Sequence, residues 1–511
     1  MKVSEDLFKL IKSLSKNEKG YFKKVSTFHT IGEQNKYLAL FNAIDKQKKY
    51  DENAIKKKFA GERFIKQLNV AKLYLYNSIL KSTEQYVNSK GTQIRSYINQ
   101  IEFLMDRGLY EQSNKLLHKA KQLAIKYEKN YELGLIEELE KRCLRFTGYA
   151  GKSEREILTL FGDTFQLIDK IKKTEQLHRL FVKMELNYKK GFPRTLNDWQ
   201  PYEEIMNNPS MMEGEHIESY QASFYFYYIK ANYYSVKKDA EKANYFTQER
   251  LKYLENRPHL INENVLSYGT ALRNVGMTLV LMKRYSEVPP MVKKLKAITH
   301  KSEAVKKYIC SFSMLVEMSL YTESGEFHKG KLLADQFIQN KTIAQGSNKD
   351  EIYLIYLSFT VYFGLGDYPK VIKCLNIILT NPNIDVRSGI YSFSKIFALI
   401  VYYEMQDEDA MAYAVKSTYR YLYEAKRLFM FESAILKFVK NKSKEMKDFE
   451  NRVTAFKELR QEIEEIGKNE VEQRILKYFD FITWLDSKIE NRPFAEMVRE
   501  KASKVLSLPS S

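Results

Sequence analysis

The stretch Glu351–Asn383 reads EIYLIYLSFTVYFGLGDYPKVIKCLNIILTNPN. An apolar helix runs into Gly366-Asp367-Tyr368, a second apolar helix follows, and Pro382 stands past its end. Gly366 can take the left-handed conformation that closes a helix. Asp367 can cap the next helix by accepting from its free amide groups. In that helix Val371, Leu375 and Ile378 fall four and three apart and share one face. Neither helix can bury its face alone. The pair must stack on neighbours, which is the logic of a helical repeat.

Weaker copies of the turn recur at Gly108-Leu109-Tyr110, Gly148-Tyr149, Lys238-Asp239-Ala240, Lys283-Arg284-Tyr285, Gly325-Glu326-Phe327 and Gln406-Asp407-Glu408. From Lys238 onward the turns, Gly366 included, are spaced by 45, 42, 41 and 40 residues. The Gly366-Asp367-Tyr368 turn and Pro382 resemble a tetratricopeptide repeat. That resemblance implies an all-α chain whose hairpins wind into an α-solenoid, with the first helix of each hairpin lining a concave groove. The spacing exceeds the roughly 34 residues of that repeat, so each helix gains about one turn.

Carried over by register from the turns, the groove positions are Tyr225, Tyr228 and Asn232, then Arg273, then Tyr353, Tyr356 and Thr360. Tyrosine, asparagine and arginine suit a peptide: rings give contact area, and an amide can hold an extended backbone. The same tyrosines can equally be interhelical core, since the chain has 37 Tyr and the run SFYFYYIKANYY is aromatic all round.

At 511 residues, with 44% hydrophobic and 29% charged residues, the composition is that of a folded chain. Only 10 Pro and 20 Gly, with no Pro before Pro193, favour long helices. Cys143, Cys310 and Cys374 lie far apart, which fits small buried residues rather than disulfides or a zinc site. The opening lacks the unbroken apolar core of a signal peptide, and no apolar run reaches the length of a membrane span. A cytoplasmic location is expected.

The formal net charge is +19, carried by 63 Lys and 20 Arg. Lysine is a point charge and reads base edges less well than guanidinium. Residues 1–90 hold 19 Lys plus Arg against 9 Asp plus Glu, over half of the excess. They read as a basic helical bundle with a capping box at Ser15-Lys16-Asn17-Glu18 and helices over Glu33–Lys46, Asp51–Phe59 and Glu62–Val87. LFKLIKSLSKNEKGYFKK with KKKFAGERFIKQL resembles the start of a family of uncharacterised bacterial proteins that carry helical repeats. A DNA-binding helix-turn-helix is disfavoured, because Lys56, Glu62 and Gln67 fall where that motif packs apolar residues. Lys56, Lys57, Lys58, Arg63 and Lys66 form either a solvated face or a phosphate-contacting patch.

Signals for catalysis are weak throughout. Gly325–Lys331 has the glycine and lysine spacing of a P-loop, but Leu332 stands where the magnesium-binding hydroxyl belongs. Gly151-Lys152-Ser153 ends like one, with Phe146 in place of the first glycine. No two of the seven histidines have ligand spacing, and there is no GxSxG or HExxH. No catalytic residue, metal or cofactor is expected. GFPRTLNDWQPYEEIMNNPSMMEGE is rich in proline and reads as an interruption, either a hinge over the groove or a long connection. It belongs to a degenerate unit whose helices are expected near Thr174–Lys190 and Thr195–Met206.

Residues 1–90 are thus expected to be a bundle, 91–440 the tetratricopeptide-like repeats, and 441–511 a charged cap that ends the stack. The leading expectation is a non-enzymatic scaffold binding a protein or peptide in its groove. The alternative is a regulator that binds nucleic acid through the basic bundle and uses the repeats as a sensor.

Overall fold

The structure is a computed structural model that describes residues 3–28, 36–86, 89–189, 193, 195–212, 219–339, 349–385, 388–442, 449–469 and 472–506. Among these residues every regular element is a helix, so the protein is all-α. They fall into two compact units, Met1–Asp169 with His300–Ala304, and Lys170–Thr299 with Val305–Ser511.

The first unit begins with α1 (Val3–Ser13), α2 (Lys16–Phe28), α3 (Lys36–Lys46), α4 (Glu52–Lys58) and α5 (Leu68–Tyr86). Ser15 and Glu18 form the reciprocal cap expected of their spacing: the Ser15 amide donates to Glu18 at 2.7 Å and the Glu18 amide to Ser15 at 3.3 Å. Asp51 accepts from the Ala54 amide and starts α4. The helix expected from Glu62 opens instead as a 3₁₀ segment, Arg63–Gln67, because the chain must first turn at Gly61, φ +94°. Residues 33–35 and Val87 of the expected helices lie outside the described residues. Leu7, Ile11, Phe41, Ile44, Leu75 and Ile79 form the bundle core.

One cation is drawn into this bundle. Lys72 is 1% exposed, and its Nζ donates to Glu52 at 2.7 Å. Hydrogen bonds from Lys72 and then Lys56 pull the Glu52 carboxyl down to about 2. The unit continues with α6 (Lys90–Met105), α7 (Tyr110–Lys126), α8 (Asn130–Phe146) and the start of α9 (Glu154–Lys189).

The second unit takes the rest of α9 and then α10 (Leu196–Met206), α11 (Pro209–Met212), α12 (Tyr220–Val236), α13 (Ala240–Glu255), α14 (Pro258–Glu263), α15 (Val265–Leu281) and α16 (Val288–Ala297). After α17 (Glu303–Glu323), whose first two residues group with the first unit, come α18 (Phe327–Gln339), α19 (Lys349–Gly364), α20 (Tyr368–Leu379), α21 (Gly389–Met405) and α22 (Glu408–Glu424). The last four are α23 (Met430–Lys442), α24 (Phe449–Gly467), α25 (Phe481–Ile489) and α26 (Phe494–Leu506). From α18 onward each helix packs on the next.

One turn geometry is reused. Gly108, Gly148, Lys238, Lys283, Gly325, Gly366 and Gln406 all have left-handed backbone, φ between +56° and +72°. The amides of Asp239, Asp367 and Asp407 reach back five residues to carbonyls at 2.9, 2.9 and 3.1 Å. This satisfies the helix end that each turn leaves open. The same three aspartates accept from Lys242, Lys370 and Ala410 to start the following helix. Lysine and glutamine hold this conformation at roughly 1 kcal/mol more than glycine, so packing imposes it there.

The helix expected near Thr195–Met206 is α10 with Pro201 inside it; the Thr195–Asp198 capping box and the buried Tyr202 and Ile205 hold the helix despite one lost backbone bond. One expectation needs correction. Cys310 is exposed on α17 rather than buried, while Cys143 and Cys374 are buried. No helix among the described residues is long and apolar enough to cross a membrane.

The C-terminal helices join the core of the second unit. Phe479, Phe481, Trp484 and Leu485 enter the same core as Phe363, Phe393, Phe397 and Phe431. Trp484 Nε1 and Lys488 Nζ donate to the two oxygens of Glu404 at 2.7 and 2.6 Å. The turn at Gly325 presses on Arg499, where an added Cβ would meet the Arg499 amide nitrogen at 2.7 Å.

Candidate functional site

Four helices of the second unit bring polar groups together. α9 supplies Glu185 and Tyr188, α15 supplies Arg273 and Asn274, α17 supplies Ser319 and Glu323, and α19 supplies Lys349, Asp350 and Tyr353. Arg273 Nη1 donates to both Asp350 oxygens at 2.8 and 2.9 Å. Its Nε and Nη2 hold Asn274 Oδ1 at 3.2 and 3.0 Å, and the guanidinium lies 5.0 Å from the Phe312 ring. Lys349 Nζ sits 3.4 Å from Glu185 and 4.1 Å from the Tyr188 ring centre. The charges are therefore paired and fixed before any visitor arrives.

Solvent reach and electrostatics define the shape. Tyr353 is 37% exposed, yet loss of hydration raises its phenol pKa, and neighbouring Tyr188 and Glu323 add to the rise. Lys349 and Glu323 are also exposed. Desolvation lowers the Lys349 ammonium, against the pull of Glu185, and raises the Glu323 carboxyl, with Asp480 adding to it. These groups are reached by water yet have protein close around them, so few water molecules solvate each charge.

The register positions named from sequence separate into three sets. Arg273 and Tyr353 stand in this polar cluster. Tyr225, Tyr228 and Asn232 are half-buried on α12. Tyr225 stacks on His178 at 4.6 Å, Tyr228 meets Phe181 edge-on at 4.8 Å, and Asn232 donates to the Tyr228 carbonyl of its own helix at 2.9 Å. Tyr356 and Thr360 are buried. The Tyr356 hydroxyl donates to the Tyr478 carbonyl, so the chain's own C-terminal segment covers this position. Thr360 donates to the Tyr356 carbonyl one turn back. Sequence reasoning missed Glu185, Tyr188, Lys349, Asp350 and Glu323. The available signal was the charged Lys349-Asp350-Glu351 entry to an otherwise apolar helix.

In the first unit, Lys56 pairs with Glu52 at 2.9 Å. Lys57, Lys58, Arg63 and Lys66 are exposed and make no ion pair among the described residues. Among the described residues there is also no group of three or more His, Cys, Asp or Glu able to hold a metal. Comparison of the chain with family models, with curated proteins and with solved structures finds no match.

Proposed function

We propose that the second unit is a non-enzymatic scaffold of tetratricopeptide-like hairpins stacked as an α-solenoid, and that the surface around Tyr353 holds an extended segment of a peptide or partner protein. The observation that carries this is Tyr353: solvent reaches it, and the Arg273–Asp350 and Lys349–Glu185 pairs stand beside it, with Lys349 and Asp350 on the same helix. A ring gives contact area at little entropic cost, and fixed ion pairs offer donors and acceptors without further ordering. The reused left-handed turns with their capping aspartates support the hairpin array.

The test pans the full-length protein against displayed random linear peptides and compares affinities across variants. Enriched peptides are expected to lose about tenfold or more in Tyr353→Ala and to keep most of their affinity in Tyr353→Phe. Tyr413→Ala, on the exposed face of α22, is expected to bind as wild type. No enriched peptide, or peptides indifferent to Tyr353→Ala and Lys349→Ala in folded protein, overturns the proposal.

A further inference from the structure

The helix α5 is apolar on both sides. One side places Leu68, Ala71, Leu75 and Ile79 in the bundle core. The other leaves Val70 62%, Leu73 49%, Tyr74 55% and Leu80 42% exposed. Val70, Leu73, Asn77 and Leu80 are spaced three, four and three, so they line one stripe. Tyr37 packs its ring 4.4 Å from Tyr74 and widens the margin.

Cations rim this stripe. Lys66 and Arg63 lie in the 3₁₀ segment that leads into α5, just ahead of Val70. Lys57 and Lys58 end α4 on the far side of the Gly61 turn, and Lys81 closes the other end. All five are exposed without an ion pair among the described residues. Glu62 and the capping Asp51 offset part of that charge. The bundle does neutralise a lysine where one is buried, at Lys72, so the rim charges are left free by placement and not by a lack of acids.

We infer that this face docks on an anionic lipid bilayer. Exposed valine and leucine need an apolar host, tyrosines at the margin suit the headgroup level, and the cations need anions in the same plane. A second copy would bring like charges together. Single-stranded nucleic acid would find only Tyr37 and Tyr74 to stack on and would leave Val70, Leu73 and Leu80 bare.

The full-length protein is sedimented with vesicles of phosphatidylcholine alone and of phosphatidylcholine mixed with phosphatidylglycerol. Binding is expected only to the mixed vesicles, and to weaken with salt. Replacing Lys57, Lys58, Arg63 and Lys66 together by Gln is expected to lower partitioning on the order of a thousandfold. V70S/L73S/L80S, at exposed positions, is expected to lower it about tenfold or more while the thermal transition stays in place. Three results overturn the inference. One is no preference for anionic vesicles. Another is unchanged binding by the V70S/L73S/L80S variant, which would leave charge alone. The third is a dimer in light scattering that L73S dissolves, or duplex or single-stranded nucleic acid bound through the same cations while vesicles are ignored.

Discussion

The N-terminal bundle and the C-terminal helices treat apolar surface in opposite ways. In the bundle, α5 buries one side and leaves Val70, Leu73, Tyr74 and Leu80 bare beside unpaired lysines. At the other end, α25 sinks Phe481, Trp484 and Leu485 into an aromatic core, and Glu404 takes hydrogen bonds from Trp484, Lys488 and Tyr368. The second unit covers its apolar faces with its own C-terminal segment, down to the Tyr478 carbonyl that receives the Tyr356 hydroxyl. The first unit keeps an apolar helix face exposed to solvent.

The largest break in that comparison comes from deleting residues 478–511. Several large side chains would leave the core, each worth about 3–5 kcal/mol, against a typical total stability of about 5–15 kcal/mol. The expected outcome is loss of the cooperative thermal transition together with binding of a hydrophobic dye. Removing α1–α5 should instead leave the second unit's transition nearly unchanged, since those helices belong to the first unit.

A single-residue version is Trp484→Ala. Trp484 is fully buried and hydrogen-bonded, and its loss should cost about 3–5 kcal/mol in denaturant unfolding. Gly276→Val is a smaller probe of packing between α15 and α17. Its added Cβ would lie 2.7 Å from Val316, and overpacking of this kind costs about 1–3 kcal/mol.

The bundle responds to charge. Glu52→Ala leaves the buried Lys72 without its anion and should destabilise by about 1–3 kcal/mol, while Lys72→Met should be near neutral. Since the folded Glu52 carboxyl lies near 2 and below its ordinary 4.5, it stabilises above about pH 4.5. That contribution is lost as pH falls through about 2. An acid titration of stability should therefore be flatter in Lys72→Met than in wild type. The smallest effect is Asp51→Ala, about 1 kcal/mol from the lost cap of α4.

The turns were readable because their signals are local. Gly366 followed by Asp367, and Ser15 with Glu18 three residues on, need only neighbouring atoms to satisfy a helix end. Register from those turns also singled out Arg273 and Tyr353, which share one polar cluster. It could not tell Tyr353, which solvent reaches, from Tyr356 one turn along, which the C-terminal segment covers. Nor could it pair Arg273 with Asp350, 77 residues away, or Lys349 with Glu185, 164 residues away. The charged tail of the chain reads as a solvated cap, because the acidic and basic residues of α24 outnumber the few aromatics of α25 that decide the packing.

By itself the sequence determined an all-α chain, the places where its helices turn, and a basic first ninety residues. Those follow from backbone sterics, capping and charge, which act over a few residues. Only the tertiary structure decided which tyrosines stay open, which ion pairs brace them, and which aromatic side chains of the C-terminal helices enter the core. Those depend on contacts between residues far apart in the chain, and burial is a property of the surroundings a residue ends in.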